Sequence, residues 1–520
     1  AAHCGPQAGS QIAPTLRGLE RGRLTIVTEK LELRWPGKDD GYALVRDERT
    51  GDPVRVPHEE IQPRLLIEQA RYGDADAENM LIRGENLFAL KSLLAAGFAG
   101  KIRLVYIDPP FNTGQTFSHY DDGLELSLYL TMMRDRLILL RELLAEDGSI
   151  YVHLDANANA HLRILLDEVF GNVNYQNEII WQRTSAHSDT HRYGINFDTV
   201  LFFSRGEGFV WVGGHHEYST THKAKYKPDK DGRLFADFDL TAAGLRNGVT
   251  GKPWRGFDPG TKGRHWAYDP AKLDVMDADG RIHWPRSGKG FPRLKKYLEE
   301  MPGVPLQAIW TDIPPVNSQA KERLPFDTQK PEALLDRIIR ASSNQGDWVL
   351  DCFAGSGTTG AVAQKLGRKW IMAELGEQAE TVALPRMRKL VAGEEQAVLS
   401  GLGGFGYYVL GEPLVVADPK LKVPIINPNY DNGLLVQAVC LQEGFAQTGD
   451  PDFHGRSGQT YAHVTETCVT KTYLNRLTRR LSEGEALTVY CLKSSPGLTA
   501  PRNVKIKKIP RDLRVRYESR

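Results

Sequence analysis

From residue 80 to residue 204, short apolar runs alternate with helical stripes, and this alternation constrains the fold more than any other feature. Met80-Leu-Ile82 reads as a strand, and Leu87, Leu90, Leu93 and Leu94 then share one helical face. A strand over 103–107 precedes a long helix over 125–145 that turns Met132, Met133, Leu137, Leu140 and Leu144 inward. Ser149–Leu154 is the next strand, followed by the helical stripe Leu162, Leu165, Leu166, Val169 and Phe170. Glu178–Trp181 reads as an edge-like strand and Thr199–Phe203 as a further one. The alternation lapses over about 205–305 and resumes at Pro331, which opens a helix over 332–339. A strand at 348–350, a helix over 358–366 and a strand at 369–373 follow, and Pro385 restarts or bends the next helix. Strands interleaved with helices predict an α/β architecture with a mostly parallel sheet covered on both faces.

At 520 residues the chain has room for several domains, and its 41% hydrophobic and 25% charged residues are ordinary for a globular protein. No apolar run reaches membrane-spanning length, so no membrane association is expected. The polar start, Ala1 to Gly9, has no apolar signal-like core, and the absent initiator Met suggests trimming or a cloning boundary. Cys4, Cys352, Cys440, Cys468 and Cys491 are widely spaced without a CxxC, which argues against a zinc site or disulfide framework and favours a reducing cytoplasm.

Two strand ends carry chemistry. The later one is Asp351-Cys-Phe353-Ala-Gly355-Ser356-Gly357-Thr358-Thr359-Gly360, directly after an apolar strand. Glycines there let the backbone turn sharply and approach a ligand, while the following helix directs free N–H groups at it. With Glu374 at the distance of a ribose-binding acid, the spacing formally matches a dinucleotide fingerprint, and taken alone it suggests a nicotinamide enzyme. Asp351 points elsewhere. Its like charge would repel a pyrophosphate, whereas it suits a cofactor with a cationic amino-acid part, such as S-adenosylmethionine.

The earlier strand end is Asp108-Pro109-Pro110-Phe111, after Leu104-Val-Tyr-Ile107. The prolines fix φ and stiffen the segment, aiming the Asp108 carboxylate and a proline carbonyl into one cleft. Two acceptors so held match the two N–H donors of a planar amino group, and Phe111 can cover a base, a contact worth roughly 1–3 kcal/mol. Accepting those hydrogens concentrates electron density on a nitrogen that is otherwise a poor nucleophile. A sulfonium methyl is already activated, so positioning and electrostatics suffice and no metal is called for. A base in duplex DNA must be flipped to reach such a cleft. Methylation of ring carbon 5 needs a cysteine nucleophile, and no Pro-Cys loop is present.

The net charge of +1 hides an uneven distribution. From Arg502 to Arg520 there are eight Arg or Lys against Asp512 and Glu518. Lys507 and Lys508 in this tail are candidates for phosphate contacts. In the region without alternation, basic and aromatic residues interleave, and Arg264, Trp266, Arg286 and Arg293 are candidates for reading DNA.

These motifs resemble the β-class amino methyltransferases of DNA, especially the large adenine-specific enzymes similar to the Mod subunits of type III restriction-modification systems. The target half precedes the cofactor half in that family, as Asp108–Phe111 precedes Asp351–Thr359 here. The resemblance covers about residues 80 to 395. It implies a Rossmann-like S-adenosylmethionine-dependent methyltransferase fold and assigns catalysis to Asp108, Pro109, Pro110 and Phe111. Cofactor binding falls to Asp108, Asp351, Phe353, Gly355, Ser356, Gly357, Thr358, Thr359 and Glu374. The family's Thr-Gln-Lys-Pro appears as Thr328-Gln329-Lys330-Pro331, beside the cofactor's methionine part, and its Gly-Asp-Asn as Gly84-Glu85-Asn86, which adds Glu85. Its His-Glu or His-Asp aligns with Phe197-Asp198, without the histidine.

The implied organisation is a β-rich accessory segment (1–75), a catalytic half (76–204), a target-recognition insert (205–305), a cofactor half (306–398) and a C-terminal accessory domain with a basic tail (399–520). The implied activity is site-specific methylation of adenine N6 in double-stranded DNA within a restriction-modification or related defence system. A homodimer and a separately encoded restriction or helicase subunit are the partners it suggests, since the chain has no nuclease signature and no Walker run. Family members acting on cytosine N4 usually carry Ser in place of Asp108. Cytosine N4, RNA or glutamine methylation, a dehydrogenase, and a non-catalytic DNA-binding assembly subunit are the alternatives.

Overall fold

The computed structural model describes residues 32–513 except 48–49, 111–115, 118–119, 122–124, 186–190, 192, 217, 219, 286–287, 289, 318 and 395–402. Twelve strands frame the catalytic part, and strands of the insert and C-terminal domain are given below by residue range. Strands β1 (Tyr42–Arg46) and β2 (Pro53–Pro57) form an antiparallel hairpin. The remaining ten are β3 (Leu66–Gly73), β4 (Asn79–Arg83), β5 (Ile102–Ile107), β6 (Leu144–Leu154), β7 (Tyr175–Gln182), β8 (Phe197–Ser204), β9 (Ile309–Trp310), β10 (Trp348–Asp351), β11 (Lys369–Glu374) and β12 (Gly404–Leu410). They build one sheet in the order β9-β7-β8-β6-β5-β10-β11-β4-β12-β3. Its centre, from β6 to β12, is parallel, and antiparallel pairs occur only where β8 meets β6 and β7 and where β3 meets β12.

Both faces are covered, as an apolar parallel sheet requires. Helices α1 (Asn86–Leu93), α2 (Leu126–Leu143) and α3 (Asn159–Phe170) cover one face, and α4 (Glu332–Ser342), α5 (Thr358–Lys365) and α6 (Leu384–Val391) the other. The two-residue period of β5 shows the division: Val105 and Ile107 enter the first core, Leu104 and Tyr106 the second.

Connectivity places the site. After β5 the chain crosses by α2 to β6 on one side; after the neighbouring β10 it crosses by α5 to β11 on the other. Neighbouring strands whose crossovers diverge leave a crevice beyond their C-terminal ends. Asp108 follows the end of β5 and Asp351 ends β10, so the two sequence motifs flank one crevice.

Several expectations change. In the accessory segment, Leu24–Val27 and Leu31–Arg34 read from the sequence as short strands; the first lies outside the described residues, and of the second residues 32–34 are not strand, while Gly41–Val45, read likewise, corresponds to β1. Strands β3 and β12, whose residues fall within the expected accessory segment and C-terminal domain, are strands of the main sheet. β12 pairs with the edge that β4 would otherwise expose, and β3 pairs with β12 in turn. β7 is not an edge, because β9 pairs alongside it in parallel.

Residues 205–305 are less irregular than their composition suggests. They hold a four-stranded sheet (Lys227–Pro228, Leu234–Asp239, Arg293–Tyr297, Ile282–His283), a two-stranded ribbon (Thr241–Ala243 with Arg264–Trp266) and a helix (Pro270–Ala278). Leu240, Trp254, Trp266, Leu273, Ile282 and Leu294 form a core of their own. The C-terminal region packs a five-stranded sheet with helices α7 (Asn432–Glu443) and α8 (Lys471–Thr478). No helix among the described residues is long and apolar enough to cross a membrane.

Candidate active site

The crevice brings together Tyr106, Asp108, Phe326, Lys330, Asp351 and Phe353, which line one narrow cleft with the glycine turn. Asp108 is held from one side only. Lys330 forms an ion pair with its Oδ2, while Oδ1 is buried with no hydrogen-bond partner among the described residues. A buried acceptor without a donor is costly unless a ligand supplies one. Pro109 is buried and Pro110 partly so, keeping the segment stiff behind the carboxylate. Phe111 lies outside the described residues.

The glycines have separate duties. Gly355 (φ +50°) and Gly357 (φ +76°) adopt left-handed conformations that favour glycine. A β-carbon at Gly355 would also stand 3.1 and 3.2 Å from the Phe326 ring, and one at Gly360 would run into the Met372 side chain of β11. The first two therefore shape the turn and the third lets α5 settle on the sheet. Such a turn, followed by the N-terminus of α5, suits the close approach of S-adenosylmethionine to the backbone. Ser356, Thr358 and Thr359 bind within the protein: Ser356 to Thr358 (3.1 Å), Thr358 to Arg386 (2.9 Å), Thr359 to Asp351 (2.5 Å). Glu374 accepts from the Gly355 N–H (2.7 Å) and the Gln378 amide (2.7 Å), and burial pushes its carboxyl upward. Through these bonds it braces the turn.

Burial pushes the Asp351 carboxyl up to about 7, against the lowering effect of the Thr359 hydroxyl and the Phe353 N–H; the charges of Asp108 and Glu374 add to the rise. A raised acid pKa means that folding takes up a proton. This contribution to stability is present at low pH and is lost as pH rises from the ordinary carboxylate range through about 7. Asp351→Asn removes the titration. Its thermal midpoint, measured without ligand, is expected to gain on the unmodified protein from pH 5 to pH 8; parallel curves would disprove a buried, titrating Asp351.

A chain of polar groups runs sideways from the cleft across four strands. The Tyr106 hydroxyl on β5 meets His153 Nδ1 on β6 (2.9 Å), His153 Nε2 meets Asp198 on β8 (3.2 Å), and Arg183 after β7 faces the same carboxylate (3.3 Å). Burial alone would raise Asp198, but the hydrogen bond and charge of His153, with Lys330 and Arg183, hold it below the usual carboxylate range. Burial and the nearby carboxylates push the Tyr106 hydroxyl well up, so it stays protonated. The Tyr106 hydroxyl at Nδ1 and the Asp198 carboxylate at Nε2 hold the His153 ring between them and fix it against the cleft. Sequence reading missed His153 and Phe326. Tyr106, two residues before Asp108 and so on the same strand face, was the available signal. Asp198 does find a histidine, supplied by another strand.

Other expected site residues fall elsewhere. Glu85 is buried at the N-terminus of α1, where it accepts the Leu87 N–H (2.6 Å) and pairs with Arg136. Gln329 is turned inward, spanning the Leu324 N–H and the Glu322 carbonyl, whereas Thr328 lines the cleft. Trp266 is fully buried in the insert core and donates to the Lys252 carbonyl (3.0 Å), so it reads no base. Arg264 is paired with Asp239, while Arg293 is exposed and Arg286 lies outside the described residues. Lys507 is buried on Glu443 (2.6 Å) and makes no phosphate contact; Lys508 is half-buried at the sheet edge. An alternating strand places one basic residue inward wherever an internal carboxylate awaits it. Among the described residues no cluster of side chains is suited to a metal ion.

Residues 102–384 match the DNA methylase family of N6 and N4 enzymes. The type II methyltransferase M.EcaI of Enterobacter cloacae is 35% identical over 67% of this chain and 75% of its own length. The StyLTI Mod subunit of a type III restriction-modification enzyme from Salmonella typhimurium is 27% identical over 70% of this chain, which spans only 60% of that relative. The DNA adenine methyltransferase YhdJ of Escherichia coli is 25% identical over 62% of this chain and 87% of its own length. Because the matched segment contains both the Asp108 strand end and the glycine turn, the chain belongs to the DNA methylase family and is an S-adenosylmethionine-dependent DNA methyltransferase.

Proposed function

We propose that this protein methylates the exocyclic N6 amine of adenine at a specific sequence in double-stranded DNA, as the modification component of a restriction-modification system. The observation that carries the reading is the buried Oδ1 of Asp108 in the cleft, which has no partner among the described residues. When bound, S-adenosylmethionine supplies an electrophilic methyl group. Asp108 Oδ1 and the Pro109 carbonyl accept the two amine hydrogens of a flipped base and leave the nitrogen lone pair directed out of the ring plane. Asp108, whose carboxylate charge Lys330 balances before transfer, takes up the proton that the nitrogen releases. The likeness to YhdJ, named as an adenine enzyme, and the acid at position 108 support adenine over cytosine. The likeness to a Mod subunit supports a separately encoded restriction partner.

The test is to incubate the protein with S-adenosylmethionine and unmethylated genomic DNA, then digest and weigh the nucleosides. N6-methyladenine confined to one sequence context is the expected product, and N4-methylcytosine would overturn the assignment. Calorimetry on Gly355→Val should show S-adenosylmethionine affinity falling by at least about tenfold, since the branched side chain strains a left-handed position and fills the cradle. Unchanged affinity would place the cofactor elsewhere.

A further inference from the structure

Four of the eight arginines in residues 205–305 pair inside the insert. Arg233 pairs with Glu299 and Glu300, Arg255 with Asp274 and Asp277, Arg264 with Asp239, and Arg281 with Glu300. Arg246 differs: it has no hydrogen-bond or ion-pair partner among the described residues, and neither does the adjacent Asn247 side chain. Both stand on a loop, 243–249, in which every residue is exposed. Leu245 and Val249 flank them at 70% and 58% exposure. Single exposed aliphatics are commonplace, but two beside a free guanidinium and a free amide on one short loop make a surface suited to a partner.

The loop is held firmly at both feet. At one, the Gly244 N–H donates to the Gly263 carbonyl (3.1 Å) and the Gly244 carbonyl meets His265 Nδ1 (2.7 Å). At the other, the Lys252 carbonyl accepts from the buried Trp266 indole, and the Lys252 N–H donates to Val249 (3.3 Å). The Arg246 carbonyl packs so closely over Gly251 that a β-carbon there would collide with it. His265 and Trp266 are thus the clamp of an exposed reader. A loop fixed in this way loses little further entropy when it binds.

We propose that Arg246 and Asn247 read base edges in the major groove of the DNA that this enzyme methylates, with Leu245 and Val249 packing against thymine methyls or the groove wall. Arg presents two parallel donors to guanine O6 and N7, and Asn a donor and an acceptor to adenine N7 and N6; each such pair discriminates against a wrong base. The inference rests on the reading of the protein as a sequence-specific DNA methyltransferase.

Arg246→Ala, Asn247→Ala and Gly251→Ala, the last moving the loop without removing its side chains, are compared with the unmodified chain. Each is incubated with unmethylated genomic DNA across a salt series, methylated positions are mapped by long-read sequencing, and S-adenosylmethionine binding is followed by calorimetry. Expected is a loss of about 10-fold to 100-fold in the preference for the parent motif over single-base variants, with cofactor affinity within about twofold. A motif and preference unchanged in all three overturns the proposal and leaves the loop to a protein partner. A uniform loss on every sequence with a flatter salt slope also overturns it, since it marks Arg246 as a phosphate contact. An unmodified chain that methylates no DNA would show at once that the underlying reading has failed, before any variant is compared.

Discussion

Replacing Asp108 with Ala is expected to slow methyl transfer by about 10²–10³-fold, equivalent to about 3–4 kcal/mol of transition-state stabilisation. The magnitude follows from the geometry. Oδ1 is a buried acceptor with no partner among the described residues, and Lys330 occupies Oδ2, so the carboxylate presents a single directed oxygen to the cleft. Removing it takes away one of two acceptors for the amine hydrogens and leaves the Lys330 ammonium without its counter-charge beside the reacting nitrogen. The loss should appear in the single-turnover rate with radiolabelled S-adenosylmethionine. Cofactor affinity should stay within about twofold, because the glycine turn is braced by Glu374 and Asp351 rather than by Asp108. Asp108→Asn should fall between, since its amide retains an acceptor but turns a donor toward Lys330 or the amine. Near-normal turnover by the Ala variant would remove Asp108 from the mechanism.

Arg136→Met is expected to destabilise the α1–α2 face of the catalytic part by about 3–5 kcal/mol. Arg136 is 1% exposed and bonds to Glu85, to Asn86 Oδ1 (2.5 Å) and to the carbonyls of Leu44 (3.1 Å) and Met132 (2.8 Å). One guanidinium therefore ties the β1 hairpin, α2 and the start of α1 together. Its removal strands the Glu85 carboxylate in the core, where an uncompensated charge costs more than the pair contributes. Adding Glu85→Gln neutralises that charge while an amide oxygen can still cap the Leu87 N–H, so the double variant should recover a large part of the loss. Hydrogen exchange read on α1 and α2 peptides separates the outcomes: protection falls in the single variant and returns in the double. Equal exchange in both would mean that Glu85 is not an unpaired buried charge when Arg136 is gone, and would return it to the list of ligand contacts.

The alternation of apolar runs and helical stripes placed the central strands and their helices within a few residues, because both signals are local. Side chains recurring every second or every third to fourth residue report burial directly. The same locality made Asp108 and the Gly355–Gly360 turn legible. A strand end, a proline pair and a glycine spacing are each contained within ten residues, and the family resemblance rests on them.

What failed to show in the sequence depends on partners brought together from far along the chain. Nothing near residues 66–73 or 404–410 says that they pair with each other and extend the main sheet, since edge pairing is decided by what lies alongside. Trp266 and Lys507 have residue types that suit DNA, yet each is buried because the fold offers the indole a carbonyl and the ammonium a carboxylate. Arg246 shows the converse: one arginine among many in the sequence, it is left unpaired among the described residues, on an exposed loop, while Arg233, Arg255, Arg264 and Arg281 are spent inside the insert. Lys330 against Asp108 and His153 against Asp198 complete the site in the same manner, from separate strands and loops. The sequence by itself determined the α/β frame and the two chemical strand ends, because those are properties of short segments. Only the tertiary structure decided which polar side chains are spent inside the protein and which remain for a ligand, because that depends on the charges and hydrogen-bonding groups that folding places within about 3 Å.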